Sequence, residues 1–397
     1  MKSHRYVVVP VMLVLLTLAV SCSGKLRSAM VAGRPGLEDH EKFPVRLLES
    51  DPARVFNFYE SPRTLTAVDL EEVLRAYNSH PDVRRTLSAG GESFDSFVEE
   101  RNTIAFIIIQ NDSIIYERYF GGYSRNSEVS SFSLTKSVLS MLVGCALADG
   151  YIGSVHDTVC QYVPELKPNG FDRVTIRHLL QMTSGININE VFHNPFRGPL
   201  DLYYGDDLYA SLLRAEVVDE PGTSHDYRSG DSQLLGLVLD RALGEQTITG
   251  YMQEKLWGPL GMEHGGSWMV DNEENGLERT FCCLSATPLD FARLGRLYLH
   301  GGNWNGQQLV PEWWVEESLK TDTLEGSDPH FQYHWRVYDN YFFAYGYGGQ
   351  MLYVEPEQNL IMVRMGTPRR RLNWKAFMPS VAGLFSGPAI AESGSGL

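Results

Sequence analysis

Ser133-Leu134-Thr135-Lys136 opens an apolar run that continues through Val138, Leu139, Met141, Leu142 and Cys145. Residues three apart on a helix share a face, so a serine hydroxyl at the helix start and a lysine amine one turn on can touch. That pair is a candidate nucleophile with its candidate base. A lysine serves as a base near neutral pH only where burial or a neighbouring cation depresses its pKa, and the apolar residues that follow offer such burial. A serine in the first turn also has an unpaired backbone N–H that can face a developing oxyanion. By itself the tetrapeptide is weak, since a chain this long meets Ser-x-x-Lys about once by chance, and a helix cap followed by a surface lysine reads the same.

Two other segments bear on that reading. His225-Asp226-Tyr227-Arg228-Ser229 places Tyr-x-Ser just before the apolar helical run Leu234-Leu235-Gly236. Near the end of the chain, Ala344-Tyr345-Gly346-Tyr347-Gly348-Gly349-Gln350 continues a β-rich run with closely spaced glycines.

Positioning these residues requires a scaffold, and its elements are readable. Thr103 to Ile109 and Ser113 to Tyr119 are β-rich runs around Asn111-Asp112, a hairpin signal. Ala67 to Tyr77 and Leu289 to Leu299 have helical spacing, and a last helix is expected near Trp374 to Phe385. Tyr341 to Tyr347, Gln350 to Val354 and Leu360 to Met365 read as closing strands, with Pro356 to Asn359 as a turn. Strands at both ends with helices between them predict an α/β (α+β) fold: one antiparallel sheet assembled from N- and C-terminal segments, flanked by helices and carrying an inserted helical lobe at about 157–270. No G-x-S-x-G elbow occurs, which weighs against an α/β-hydrolase.

With these motifs in order, residues 100 to 385 resemble the β-lactamase-related serine hydrolases: class C β-lactamases, D-Ala-D-Ala carboxypeptidases and EstB-type esterases. Supporting stretches include Ile176-Arg-His-Leu-Leu-Gln-Met-Thr-Ser-Gly185, Leu256-Trp-Gly-Pro-Leu-Gly-Met262 and Thr287-Pro-Leu-Asp-Phe-Ala-Arg-Leu-Gly295. Tyr-x-Ser and the Gly-Tyr-Gly-Gly-Gln ending are most similar to the 6-aminohexanoate-dimer hydrolase branch. The resemblance implies a β-lactamase/transpeptidase-like fold and acyl transfer without metal or cofactor. In it Ser133 is the nucleophile, Lys136 the base and Tyr227 the proton carrier. The amides of Ser133 and Tyr347 would form the oxyanion hole, with Gly346, Gly348, Ser229 and Tyr345 around the substrate. Where relatives carry Lys-Thr-Gly, alignment on Gly346 puts Ala344 at the cation's place, which points away from β-lactams and peptidoglycan stems unless another Arg or His substitutes.

Plainer readings compete at several positions. Tyr227 could be a core tyrosine, Ser229 a helix cap or an orienter of its neighbours, and the glycines a device for close packing. His178 and Thr183-Ser184-Gly185 read as a turn. The aromatic cluster Tyr203, Tyr204, Tyr341, Phe342, Phe343 and Tyr345 reads as core more readily than as pocket lining. A catalytically weak penicillin-binding or sensor-type protein, or a genuine β-lactamase or carboxypeptidase, would carry the same motifs.

Residues 1–22 have a basic start and an apolar stretch from Tyr6 to Val20, the layout of a secretory signal. Ala19-Val20-Ser21-Cys22 resembles a lipobox with Ala in place of the usual Leu, which implies lipidation at Cys22, attachment to a membrane and a periplasmic or cell-envelope location, with simple secretion or a retained anchor as alternatives. Residues 23–62 read as a tether or arm, 63–386 as the hydrolase domain and 387–397 as a disordered tail. A net charge of −15 leaves no basic stripe for nucleic acid and fits a small-molecule ester or amide as partner. No Cys/His spacing suggests a metal. Cys160 could pair with Cys282 or Cys283, Cys145 reads as a small core residue, and adjacent cysteines seldom bridge each other, so free buried thiols are an equal reading.

Overall fold

Thr103–Gln110 (β1) and Ser113–Tyr119 (β2) form the expected antiparallel hairpin, and its turn residues Asn111 and Asp112 take φ of 51° and 58°. Asn and Asp tolerate that left-handed conformation, which matches the twist of paired strands. The computed structural model in which this is seen describes residues 34–61, 68–188, 199–367 and 372–385. Expectations for the signal segment, Cys22 and the 387–397 tail fall outside those residues.

β1 is buried along nearly its whole length because the sheet is covered on both faces. Ala105, Ile107 and Ile109 point into one apolar cluster while Phe106 and Ile108 point into another, the period-two alternation of a strand. Beside β1 lies Leu360–Gly366 (β6), paired antiparallel from Leu360↔Gln110 to Gly366↔Thr103. The sheet continues outward through Met351–Glu355 (β5), Phe342–Tyr345 (β4) and Trp335–Val337 (β3), all antiparallel. N- and C-terminal segments thus meet at β1 and β6, as the sequence implies. Pro288–Leu299 (α3) packs on one face, while Leu70–Asn78 and Trp374–Ala382 (α4) lie against the other.

The helix after Ser133 spans Thr135–Ala148 (α1), and a 3-10 turn at Phe132–Leu134 leads into it. Ser133 therefore sits in that turn rather than in the α-helix proper. Twelve of the 14 residues of α1 are buried, so this is a central helix with no solvent face. Ser229–Leu243 (α2) packs beside it and carries the lobe's contribution to the centre.

The structure departs from sequence expectation in three places. Within the expected arm, Val45–Leu48 is a strand paired with Gly266–Met269, and buried Asp39 accepts hydrogen bonds from Tyr203 Oη and Lys42 Nζ. Weak periodicity hid this strand because only one of its four residues is buried. Gly266–Met269 itself belongs to a second, four-stranded sheet, although it lies inside the range assigned to the helical lobe. Finally, the strand expected to reach Tyr347 ends at Tyr345; Tyr347–Gly349 is a tight turn in which Gly348 takes φ of 82°.

Gly144 shows how closely α1 is seated. A Cβ there would lie 2.3 Å from the Trp314 ring, a distance no side chain can occupy without displacing the indole. Gly144→Val should lower the unfolding free energy by about 1–3 kcal/mol, read from a urea melt followed by tryptophan fluorescence. An unchanged midpoint would mean that the Trp314 side yields freely.

Candidate active site

Ser133, Lys136 and Tyr227 come together in one cleft of about 340 Å³. Phe331, His334, Arg336, Tyr345, Gly346, Tyr347 and Lys375 complete its described lining. Lys136 is 2% exposed, and its amine is met from three separate segments. Nζ lies 3.0 Å from Ser133 Oγ, 3.3 Å from Ser229 Oγ and 2.8 Å from the Phe281 carbonyl oxygen. The rings of Tyr227 and Phe281 also face it, with centroids at 5.1 and 5.6 Å. Among the described residues no carboxylate pairs with it.

Ser229 is the first residue of α2, whose N-cap is Arg228 with no side-chain cap bond. Of its two sequence readings, orienting a neighbour is the one the geometry matches, since its hydroxyl faces Lys136. Tyr227 lies two residues earlier, half-buried at the cleft wall with its ring against Phe331 at 6.0 Å.

The Phe281 carbonyl is held by its own turn. Cys282 and Cys283 are joined in a disulfide, and Cys283 takes φ of 77°. This corrects the readings of Cys160 pairing and of free thiols at 282 and 283, while Cys145 and Cys160 are free thiols. The next residue, Leu284, donates its N–H to Thr135 Oγ1 and accepts from the Ser131 N–H, which ties this turn to both sides of Ser133.

Gly346 packs directly against the turn that carries the serine. A Cβ on it would sit 2.3 Å from the Ser131 carbonyl oxygen, so only glycine lets β4 end against the Phe132–Leu134 turn. That contact brings Tyr347, the first residue of its own 3-10 turn, to the serine, and its ring meets Phe132 edge-on at 5.5 Å. The N–H groups of Ser133 and Tyr347 both fall at the starts of 3-10 turns, where the turn itself supplies no acceptor. Tyr345 is half-exposed at the lining and Gly348 is buried behind it, with its carbonyl accepting from Arg364 Nη1 at 2.6 Å.

Several contributors were missed in the sequence. Arg364, a lone arginine in an apolar strand, is fully buried over the Trp374 ring and bonds Thr103 Oγ1 and the Arg101 carbonyl as well as Gly348. Burial pushes its guanidinium down to about 9. Its break in the apolar pattern was the available signal. Gln350 bridges the carbonyls of Ser130 and Gly366 through Nε2 and accepts from the Gly366 N–H.

His334 is buried between α1 and α2, and burial together with the nearby Lys136 charge holds it down to about 3. It is therefore a neutral imidazole near pH 7. Nδ1 is 3.1 Å from the Lys136 carbonyl oxygen, while Nε2 lies 3.3 Å from the Leu179 carbonyl oxygen and 3.4 Å from Ser232 Oγ, and a neutral ring donates from only one of the two nitrogens. Among the described residues no group of His, Cys, Asp and Glu could hold a metal ion.

With this geometry in place, comparison defines the family. Residues 92–369 match the beta-lactamase family model, and the chain belongs to the beta-lactamase family. Of individual proteins, a 6-aminohexanoate-dimer hydrolase from Paenarthrobacter ureafaciens is 26% identical over 238 residues, covering 57% of this chain and 60% of that protein. A Bacillus anthracis structure described as a candidate 6-aminohexanoate-dimer hydrolase superposes with a TM-score of 0.73 at 21% identity, over 87% of this chain and 92% of its own. A class C β-lactamase gives 0.57 at 14% identity, over 82% of this chain and 99% of its own. These likenesses bear out the β-lactamase/transpeptidase-like fold class.

Asp231, one turn into α2, is buried and accepts from Ser184 Oγ, which anchors the Thr183-Ser184-Gly185 turn. Burial raises its carboxyl to about 7 and its Oδ2 has no partner among the described residues. A raised carboxyl favours folding most below the unfolded value near 4, and that contribution is lost as pH climbs through about 7. Asp231→Asn should therefore remove part of the stability loss seen in urea melts between pH 5 and pH 8. Parallel pH profiles for the two proteins would overturn this assignment.

Proposed function

We propose that this protein is a serine hydrolase that cleaves a small ester or amide through an acyl-enzyme. The observation that carries the reading is the 3.0 Å contact between Ser133 Oγ and a Lys136 amine that is buried and unpaired with any described carboxylate. Ser133 Oγ passes its proton to Lys136 and attacks the carbonyl carbon. The resulting oxyanion sits between the Ser133 and Tyr347 amides, in a pocket whose shape Gly346 makes accessible. As the C–O or C–N bond breaks, Tyr227 delivers a proton to the leaving group and is resupplied by Lys136. Water then adds to the acyl carbon, its proton going back through the same pair, and releases the acid with Ser133 restored.

An amide is favoured as one substrate type by the likeness to 6-aminohexanoate-dimer hydrolase, whose name denotes an amide between two amino acids. His334 acts as a positioning residue here, since it lies among the Lys136 and Leu179 carbonyls and the Ser232 hydroxyl and stays uncharged. The sequence further supports export and lipidation at Cys22, which metabolic palmitate labelling lost in Cys22→Ser would test; equal labelling of the two chains would overturn it.

The catalytic assignment is tested with a fluorophosphonate probe and p-nitrophenyl acetate. Ser133→Ala should abolish labelling, Lys136→Ala should lower kcat at least about a thousandfold, and Tyr227→Phe should lower it about ten- to a hundredfold. Labelling at Ser133 without steady-state release would instead identify a sensor that is acylated and does not turn over.

A further inference from the structure

Phe281, whose carbonyl meets the Lys136 amine, stands between two well-anchored segments. Thr280 donates its N–H to Gln233 Oε1 at 3.0 Å and its hydroxyl to the Ser232 carbonyl at 2.9 Å, which ties it to α2. Leu284 is tied to Ser131 and Thr135 beside the serine. Between them, the Cys282 carbonyl accepts from Trp268 Nε1 at 3.3 Å and the Cys283 carbonyl from the Met269 N–H at 3.1 Å, so both are committed to the neighbouring strand. The Phe281 carbonyl is committed to Lys136 instead.

A disulfide between sequence neighbours closes a small ring around the peptide bond that joins them, and Cys282 and Cys283 form such a ring. Cys283 takes φ of 77°, a left-handed conformation that a residue with a side chain keeps only where its surroundings over-determine it. The ring is that constraint. The Phe281 carbonyl carbon is bonded to the Cys282 nitrogen, so its peptide plane hangs on the first Cα of the ring. Phe281, Cys282 and Cys283 are buried and none belongs to the described cleft lining, so the turn bears on a substrate only through Lys136.

What the carbonyl does for Lys136 follows from valence. An amine in its base form has one lone pair and two N–H groups, and it rotates about its last carbon unless partners fix it. A carbonyl oxygen only accepts, so the Phe281 contact at 2.8 Å takes an N–H. With Ser229 Oγ at 3.3 Å on the other N–H, the lone pair is left for Ser133 Oγ at 3.0 Å. Without the carbonyl the amine is free to turn an N–H toward the serine, and an N–H takes up no proton.

We propose that the Cys282–Cys283 disulfide is a redox-sensitive positioning element for Lys136. Closed, it holds the Phe281 carbonyl on the amine; opened by a dithiol, it releases the carbonyl and slows acylation of Ser133. The proposal rests on the hydrolase reading above. In the opening step a thiolate of the dithiol attacks one sulfur, the S–S bond breaks and a mixed disulfide forms. The second thiol of the dithiol then displaces the protein sulfur. Cys282 and Cys283 end as thiols with the protons that the dithiol gave up, and the dithiol, having lost the electron pair, ends as its own disulfide. Cys283 then leaves the left-handed region. An oxidising compartment keeps the disulfide closed, and the export proposed above would place the chain in one.

Labelling by excess fluorophosphonate reads the step directly. Its maximal rate reports activation of Ser133, its half-saturating concentration reports access to the cleft, and its end point reports the folded fraction. The native chain, with and without dithiothreitol, is compared with Cys282→Ser/Cys283→Ser and with Cys282→Ser/Cys283→Gly. The opened fraction is read by mass after an acid quench and alkylation. The maximal rate should fall about ten- to a hundredfold in the first double variant and in the reduced native chain, with the half-saturating concentration and end point unchanged. The second double variant should recover most of that rate and ignore dithiothreitol, because glycine holds a positive φ without a ring. The reduced native chain carries no substitution, so the test does not depend on how well a variant folds. A lower end point at an unchanged rate means that the disulfide only stabilises the fold, and overturns the positioning role. An unchanged rate and end point once the disulfide is absent, or a native chain isolated with both cysteines as thiols, overturns it equally. A disulfide that dithiothreitol leaves closed in the folded chain overturns the redox sensitivity. Absence of Ser133-dependent labelling in the closed native chain overturns the hydrolase reading and this proposal with it.

Discussion

A buried lysine side chain can be tolerated only where hydrogen-bonding partners meet its amine, and the position of Lys136 imposes that condition on three parts of the chain. Ser133 is three residues away, Ser229 is 93 and Phe281 is 145. Each acceptor arrives on a separately built element: the turn ahead of α1, the start of α2, and the disulfide-closed turn after Arg279. The same packing that satisfies Lys136 therefore aligns the candidate nucleophile, puts Tyr227 at the cleft wall and fixes where the two lobes touch. Losing any one acceptor would leave a donor unmet inside the core, which makes the site and the fold hard to separate energetically.

The local part of this arrangement was legible in the sequence, and for a physical reason. Helical periodicity alone puts Ser133 beside Lys136, the Asn111-Asp112 turn fixes the hairpin, and Gly346 marks a place where backbone must approach backbone. Long-range partners left no such trace. The Phe281 contribution is a carbonyl group, which every residue possesses, so no side-chain pattern announces it. Arg336 and Lys375 line the cleft from β3 and α4, and their separation in the chain hid the relation. The reading of Ala344 left room for another Arg or His to substitute, but no sequence pattern said which residue would stand near the site. The strand Val45–Leu48 was overlooked because edge pairing, rather than burial of alternate residues, holds it.

His334 and Arg364 show two ways of managing charge around one buried cation. A protonated His334 would set a positive charge beside Lys136, and burial keeps it neutral instead, among the carbonyls of Lys136 and Leu179 and the Ser232 hydroxyl.

Arg364 takes the opposite course, since it is buried and faces carbonyl oxygens and an aromatic ring rather than an acid. An acid partner would stabilise the guanidinium more strongly than carbonyls do. Backbone carbonyls satisfy the N–H groups while leaving the net charge in place. Gly348, one of those acceptors, directly follows Tyr347, so the bond that stabilises Arg364 also holds the turn carrying the candidate oxyanion donor. A lysine could not span Gly348, Arg101 and Thr103 at once, because a single ammonium lacks the planar fork that reaches three acceptors on one strand and two turns. The arginine interrupting an apolar strand thus ties the start of β1 to the turn that carries Tyr347.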